Sequence, residues 1–303
     1  MRKILLITVL LAMTISFNVV GCKQKGQGKS RLYIAVIPKG TTHLFWKCIH
    51  AGAIKAEQEL KNAGVDIEII WKGPLKEDDR ESQIRVVEAF ITRGVSGIVL
   101  APLDDAALRM PVKEAVNNDI PVVIIDSRLK SDDYISFVAT DNYKGGRKGG
   151  QRLAEILGGK GKVIMLRYQK GSASTMNREQ GFMDVLKEKY PNIEVVSANR
   201  YGGATIESAY KASEYLLARY RTADGGLTID GIFCPNLSTS FGMLLALEDS
   251  GLAGKVKYVG FDSSPRLVQG LRKGQIQGLV LQDPINMGYL GVRLLWHICK
   301  AKT

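Results

Sequence analysis

From Arg31 onward, the sequence alternates between short apolar segments and longer segments with helical periodicity, and this alternation constrains the fold more than any other feature. The short segments are rich in Ile, Val and Leu, as buried strands are. Several longer segments are followed by a glycine, such as Gly64 and Gly94, where helices commonly end. The predicted strands are residues 32–38, 65–71, 97–101, 121–126, 162–166, 193–198, 231–234, 257–261 and 276–282. The predicted helices are residues 46–63, 77–93, 104–117, 143–157, 175–189, 206–219, 238–250, 265–273 and 286–300.

Strands and helices in regular alternation predict parallel sheets with helices on both faces. The number of strands exceeds the usual size of one compact sheet. We therefore predict an α/β fold with two doubly wound parallel-sheet lobes, and we place the break between them near residues 137–141.

The first 22 residues are organised like an export signal. Arg2 and Lys3 precede an apolar run at residues 4–20, and residues 19–22 (Val-Val-Gly-Cys) resemble a bacterial lipobox. We predict a signal peptide at residues 1–22, lipid modification of Cys22 and a flexible tether at residues 23–30. The rest of the protein is then extracytoplasmic and lipid-anchored to a bacterial membrane, in the periplasm or at the cell surface. A transmembrane anchor is the alternative, but polar residues interrupt the run, which is shorter than the roughly 20 apolar residues of a span.

The chain has 303 residues and a formal net charge of +12. Its basic residues are scattered, without a basic block or an aromatic-interleaved basic stripe, so the charge does not indicate nucleic-acid binding. Cys48, Cys234 and Cys299 form no C-x-x-C pair, and no histidine stands at zinc spacing. We expect no metal and no cofactor. We expect Cys234 to be a small buried side chain. A bridge between Cys48 and Cys299 is left open.

Polar and aromatic side chains follow most of the predicted strands. In open parallel sheets, ligands bind beyond the carboxyl ends of the strands, so two lobes facing each other would bring these side chains into one cleft. Carboxylates, amides and an arginine around an aromatic ring suit a polyhydroxyl ligand, because each hydroxyl donates and accepts while the apolar face of the ligand packs on the ring. The candidate residues are His43, Phe45, Trp46, Asp126, Ser127, Arg178, Asn236, Asp262 and Gln282.

Six of these candidates also have a simpler interpretation. Asp126, Asp262 and Asn236 stand where helix N-caps are common, the aromatic pair is compatible with the core, and Arg178 with a surface ion pair. The two aspartates also suggest a glycosidase carboxylate pair. The sequence has no phosphate loop, dinucleotide fingerprint or nucleophile elbow, and we expect a binding protein rather than an enzyme.

Several segments carry a family resemblance: IAVIPKGTTHLFW with the following HAGA, IPVVIIDS, VATDNYKGGRKGG, NREQGF, YVGFDSSP and LVLQDP. Together they resemble the type I periplasmic sugar-binding proteins, the ribose-binding-like solute receptors of ABC transporters. The resemblance implies one lobe of residues 31–139 plus 283–303 and another of residues 140–282, joined by a multi-strand hinge and closing around one ligand. The ligand contacts that it implies are His43, Phe45 and Trp46 in the first loop, Asp126 as the acidic partner, Arg178 facing the cleft, and Asn236, Asp262 and Gln282.

The sequence departs from the ribose-binding pattern at three positions. Ser127 stands where an arginine usually follows the acidic residue, with Arg128 one position later. Ala204 stands where a second stacking aromatic is usual, and His43 where an amide is usual. These departures leave the binding role intact and put ribose itself in doubt. The family usually adds one more hinge crossing and strand after residues 286–300, so we also expect a looser hinge.

The expected function is that of a monomeric substrate-binding lipoprotein of an ABC importer. Its partners would be a small sugar-like ligand, a permease and an ATPase, and no nucleic acid. The alternative is the same module as a ligand sensor for a chemoreceptor or a histidine kinase. A LacI-like repressor shares the fold but needs an N-terminal helix-turn-helix, where this chain has an export signal.

Overall fold

The computed structural model describes residues 31–301, in which the chain builds two parallel sheets in succession. The first sheet, the centre of what we call the first lobe, has the strand order β2-β1-β3-β4-β5, with every neighbouring pair parallel. Its strands are β1 (Leu32–Ile37), β2 (Ile67–Trp71), β3 (Gly97–Leu100), β4 (Val122–Ile125) and β5 (Ser136–Val138).

The second sheet repeats this topology and forms the centre of the second lobe. Its order is β10-β9-β8-β6-β7, again all parallel, so each strand has a counterpart five positions earlier in the order of strands. Its strands are β6 (Gly161–Arg167), β7 (Ile193–Tyr201), β8 (Gly231–Phe233), β9 (Lys257–Phe261) and β10 (Gly278–Val280). The prediction of two parallel-sheet α/β lobes is confirmed.

Helices cover both faces of each sheet. On the first sheet, α1 and α9 pack against each other on one face, and α2 and α3 on the other. On the second, α4 and α5 cover one face and α6, α7 and α8 the other. The bounds are α1 (Leu44–Asn62), α2 (Arg80–Arg93), α3 (Arg109–Asn117), α4 (Asn142–Ile156), α5 (Ala173–Lys189), α6 (Ile206–Ala218), α7 (Leu237–Asp249), α8 (Pro265–Arg272) and α9 (Pro284–Ala301). The last helix of the chain therefore packs on the first lobe, whereas the residue limits assigned to the lobes stay a prediction.

Strand burial explains the apolar segments of the sequence. All four residues of β3 and of β4 are buried, as expected for strands with helices on both faces. Burying a Val, Leu or Ile side chain contributes about 1.5–3 kcal/mol relative to leaving it in water. The buried central strands therefore fix the position of the carboxyl edge of the first sheet.

Two glycines allow α4 and α5 to approach each other closely. A Cβ on Gly146 would lie 1.9 Å from the carbonyl oxygen of Arg178, and a Cβ on Gly181 would lie 2.1 Å from that of Tyr143. Only glycine fits at such backbone contacts. The glycine-rich segment of α4 thus fixes the position of α5 and of Arg178.

Two predicted helices begin later than expected. The helix predicted at residues 77–93 begins at Arg80, because the Asp79 side chain accepts from the Ser82 N–H at 2.9 Å and caps it. The helix predicted at 104–117 begins at Arg109, because the Asp104 carboxylate accepts from two N–H groups of the preceding turn. The short strand β5, which overlaps the predicted break between the lobes, was not predicted at all.

The described cysteines form no disulfide. Cys234 is buried, as predicted. Cys299 donates to the carbonyl of Ser96 at 3.3 Å instead of bridging to Cys48, so the bridge that the sequence left open is not formed.

None of the helices within residues 31–301 is long and apolar enough to cross a membrane. The predicted signal peptide, Cys22 and the tether lie outside the described residues.

Candidate functional site

The carboxyl ends of both sheets face each other across a cleft between the lobes. The side chains around it leave a cavity of only about 30 Å³, room for one or two water molecules. Eight of the nine predicted site residues line this cavity, and Ser127 lies beside it in contact with Asp126. The lining residues are Lys39, His43, Phe45, Trp46, Glu77, Asp126, Tyr168, Ser172, Ser174, Thr175, Arg178, Asn236, Leu237, Asp262 and Gln282.

Asp126 stands directly after β4 and forms a buried ion pair with Lys39. The Lys39 ammonium lies 2.8 Å from Asp126 Oδ2, and the side chains are 3% and 4% exposed. Lys39 also donates to Ser127 at 2.5 Å and, across the cleft, to Ser172 at 3.3 Å and Ser174 at 3.2 Å. The small side chain of Ser127 therefore sits beside an ammonium contributed by another strand end.

Arg178 is buried on α5 and is held by three hydrogen bonds. Its Nε donates to Asn142 Oδ1 at 2.8 Å, one terminal nitrogen to the Pro235 carbonyl at 3.0 Å and the other to Gln282 Oε1 at 2.8 Å. Its guanidinium carbon lies 4.0 Å from the centre of the Phe261 ring. Burial lowers the pKa of Arg178, although the charges of Asp262 and Asp126 oppose this. Arg178 is therefore a cleft residue, and a surface ion pair does not explain it.

Asp262 stands directly after β9 and faces Arg178. Its carboxylate accepts from Gln282 Nε2 at 2.6 Å, and Gln282 Oε1 in turn accepts from Thr140 at 2.9 Å. Burial raises the pKa of Asp262, while the charge of Arg178 opposes the shift. Neither Asp126 nor Asp262 caps a helix, since the N-cap of α8 is Ser264 and no helix starts after Asp126 before α4.

Asn236 does cap a helix. Its side-chain oxygen accepts from the backbone N–H of Thr239 at 3.3 Å and from the Thr239 hydroxyl at 2.6 Å, at the start of α7. The amide also lines the cavity. The capping interpretation accounts for its side-chain oxygen, and its role as a ligand contact stays a prediction.

His43, Phe45 and Trp46, which we call the aromatic wall, stand at the start of α1. The rings of Phe45 and Trp46 meet edge to face with centroids 5.0 Å apart. Trp46 is 2% exposed and belongs to the core of the first lobe, whereas Phe45 is half-buried and packs against the cores of both lobes. The core interpretation therefore holds for Trp46, and Phe45 is the more accessible ring.

Glu77 was missed because it was assigned to a helix. Its carboxylate accepts from His43 at 2.7 Å, Trp46 at 2.8 Å and Tyr168 at 2.6 Å. Burial alone would raise the pKa of Glu77, but the hydrogen bonds of its three partners and the charge of His43 outweigh burial and lower it. Glu77 is thus a buried, negatively charged acceptor beside the aromatic wall.

The other missed residues are Lys39, Tyr168, Ser172, Ser174, Thr175 and Leu237. Lys39 comes two residues after β1, and Tyr168 directly after β6. Asp126 and Asp262 were identified because ligands bind beyond the carboxyl ends of parallel strands. The same rule, which we call the strand-end rule, applies to Lys39 and Tyr168 and would have found them. Within the part of the chain that the structure describes, no group of three His, Cys, Asp or Glu residues is placed to hold a metal ion.

The fold and this cleft define a two-lobed binding protein, and comparison with known proteins identifies its family. The model of the periplasmic binding protein domain matches residues 34–303. The chain belongs to this family.

Relatives and solved structures agree with this assignment. The chain is 29% identical to the D-allose-binding periplasmic protein of Escherichia coli (strain K12), over 86% of this chain and 82% of that protein. It is 28% identical to the ribose import binding protein of Bacillus subtilis (strain 168), over 81% of this chain and 75% of that protein. A carbohydrate transporter solute binding protein from Agrobacterium radiobacter, solved in complex with D-arabinose, superposes with a TM-score of 0.81 at 32% identity, covering 90% of each chain. The family and these relatives are binding proteins, which confirms the expectation that the chain is not an enzyme.

Proposed function

We propose that this protein is the extracytoplasmic, lipid-anchored substrate-binding component of an ABC importer, and that it binds a sugar or a similar small polyhydroxyl solute between its lobes. The named relatives bind D-allose or import ribose, and the structural neighbour holds D-arabinose. These names support the ligand class without selecting one sugar.

The observation that carries this proposal is the pair of buried carboxylates, Asp126 and Asp262, facing Arg178 in one cleft. Carboxylates accept hydrogen bonds from sugar hydroxyls, and the guanidinium donates to them. The hydrogen bonds of Arg178 to the protein use three of the five N–H donors of its guanidinium, which leaves two for a ligand. The half-buried ring of Phe45 offers an apolar surface for the face of a sugar ring.

Binding requires the lobes to move. Asp126, Arg178 and Asp262 line this cleft and are buried between the lobes, so a ligand enters when the lobes separate and is enclosed when they close. Closure is favoured by the ligand because only the closed form contacts it from both lobes. The loaded, closed form would then dock on a permease that is driven by an ATPase.

The lipid anchor rests on the sequence alone, through Cys22 and the preceding apolar run. Such an anchor would hold the receptor close to its permease. Labelling cells with radioactive palmitate tests it directly: label should appear in the wild-type protein and disappear in Cys22→Ser. Label that persists in Cys22→Ser would refute the anchor.

A thermal-shift screen of pentoses, hexoses, polyols and nucleosides tests the binding function. A ligand at 100 times its dissociation constant adds about 2.7 kcal/mol to the free energy of unfolding, so a true ligand should raise the melting temperature clearly. A panel without any such shift would contradict the sugar-binding proposal.

A further inference from the structure

Glu77 lies where the two lobes meet, and its side chain is 9% exposed. Its Oε1 accepts from His43 Nδ1 at 2.7 Å and from Trp46 Nε1 at 2.8 Å. Its Oε2 accepts from the Tyr168 hydroxyl at 2.6 Å. Hydrogen bonds to an ionised carboxylate are short and strong, so these three donors hold Glu77 in one position.

The donors belong to different lobes. His43 and Trp46 stand at the start of α1 in the first lobe. Glu77 belongs to the same lobe and lies between β2 and α2. Tyr168 follows β6 in the second lobe, and its neighbour Gln169 donates to the Glu77 carbonyl at 3.0 Å. Separation of the lobes would break the bonds to Tyr168 and Gln169 and leave those to His43 and Trp46 in place.

We infer that Glu77 is a positioning residue that couples the aromatic wall to closure of the lobes, an inference that rests on the closing motion proposed above. One oxygen orients the His43 ring, which leaves its other nitrogen for a ligand, and fixes the Trp46 indole. The second oxygen is bonded across the cleft only when the lobes are closed. The same carboxylate thus arranges the wall and stabilises the closed form.

A tyrosine elsewhere in the second lobe provides a matched control. Tyr258 is fully buried, and its hydroxyl donates to the Ser240 carbonyl at 2.7 Å within one lobe. Tyr168→Phe and Tyr258→Phe each remove one buried hydroxyl and its hydrogen bond. Only Tyr168→Phe removes a bond between the lobes.

The test combines calorimetry with small-angle X-ray scattering on the full chain, with D-allose and D-arabinose as the probes. Removing a hydrogen bond to a charged group should weaken affinity about ten- to a hundredfold, so Tyr168→Phe should show this loss and a more extended ligand-free form. Tyr258→Phe should lower the melting temperature and leave affinity and scattering unchanged. In a Glu77→Gln background, adding Tyr168→Phe should have much less effect than in the wild type.

Two negative results can be told apart. If the wild type binds a sugar and closes, and Tyr168→Phe matches Tyr258→Phe in affinity and scattering, the coupling through Glu77 is wrong and the binding function stands. If neither sugar binds, the ligand-free scattering still decides the coupling. A more extended form of Tyr168→Phe than of Tyr258→Phe supports it, and identical curves overturn it.

Discussion

Asp126 and Asp262 occupy equivalent positions in the two lobes and share a backbone conformation that is uncommon for residues with a side chain. Asp126 follows β4 with φ 61°, and its N–H donates to the last residue of β5. Asp262 follows β9 with φ 67°, and its N–H donates to the last residue of β10. Positive φ at such residues is concentrated at functional sites. The duplicated topology therefore places one carboxylate from each lobe in the cleft.

Asp262→Asn should weaken ligand binding about ten- to a hundredfold, because the amide replaces one charged acceptor by a donor. Asparagine tolerates positive φ, so the backbone should not change. The measurement is calorimetry with a sugar identified in the screen. Asp119→Asn is the matched control, since Asp119 also has positive φ (60°) and is exposed. An equal loss in both variants would contradict the role of Asp262 in the cleft.

Lys39→Met should lower the free energy of unfolding by about 3–5 kcal/mol, because it leaves the buried Asp126 carboxylate without its cation. Chemical denaturation measures this change. Lys211→Met removes an exposed pair with Glu207 and should leave stability unchanged. Lys39→Met combined with Asp126→Asn should recover part of the loss. A stability of Lys39→Met equal to that of the wild type would show that this ion pair does not form.

Gly171→Ala should hinder closure of the lobes. Gly171 belongs to the second lobe, and a Cβ there would lie 2.3 Å from Asp104 Oδ2 of the first lobe. Its φ is +88°, so alanine adds local strain as well. Gly225→Ala controls for that strain, because Gly225 has φ +82° and a Cβ there would lie 3.9 Å from its nearest neighbour, the Arg221 side chain. We expect both variants to lose stability, and only Gly171→Ala to lose affinity. Wild-type affinity in Gly171→Ala would argue against closure in this geometry.

The His43–Glu77 pair should make stability depend on pH. Burial alone would lower the pKa of His43, but its hydrogen bond to Glu77 and the charges of Glu77 and Asp262 raise it above 6.5. The contribution of His43 to the free energy of unfolding is present below pH 6.5 and is lost as pH rises through the raised pKa of His43. The pKa of Glu77 lies below 4.5, so its contribution is present above pH 4.5 and is lost as pH falls through the lowered value.

His43→Gln should therefore cost more stability at about pH 5.5 than at about pH 9. Melting temperatures of the variant and the wild type at both pH values measure the difference. His50→Gln serves as a control, because His50 stacks on Trp71 away from the cleft and its pKa is lowered by burial. The same loss for His43→Gln at both pH values would contradict a charged His43–Glu77 pair.

The alternation of periods was enough to predict the architecture, because buried parallel strands and amphipathic helices have distinct patterns. The strand-end rule predicted eight of the side chains that line the cavity, although the sequence does not show their contacts. Their roles as ligand contacts stay predictions.

What sequence patterns do not contain is the pairing of side chains across the cleft. Glu77 continues a helical pattern in the sequence, and only the cap at Asp79 excludes it from α2. Lys39 looks like one of many surface cations until Asp126 and the serines of the opposite lobe surround it. Asparagine is common both as a helix N-cap and as a ligand contact, so the sequence does not decide the role of Asn236. The structure shows its capping hydrogen bonds.

The most direct test of ligand binding between the lobes is a calorimetric titration of the wild type and of Arg178→Ala with the sugar that gives the largest thermal shift. Arg178 is 2% exposed and stands at the centre of the cleft. We predict saturable one-to-one binding to the wild type and an affinity about ten- to a hundredfold lower in Arg178→Ala, from the loss of charged hydrogen bonds. Equal affinity in the two proteins would contradict the assignment of this cleft as the binding site.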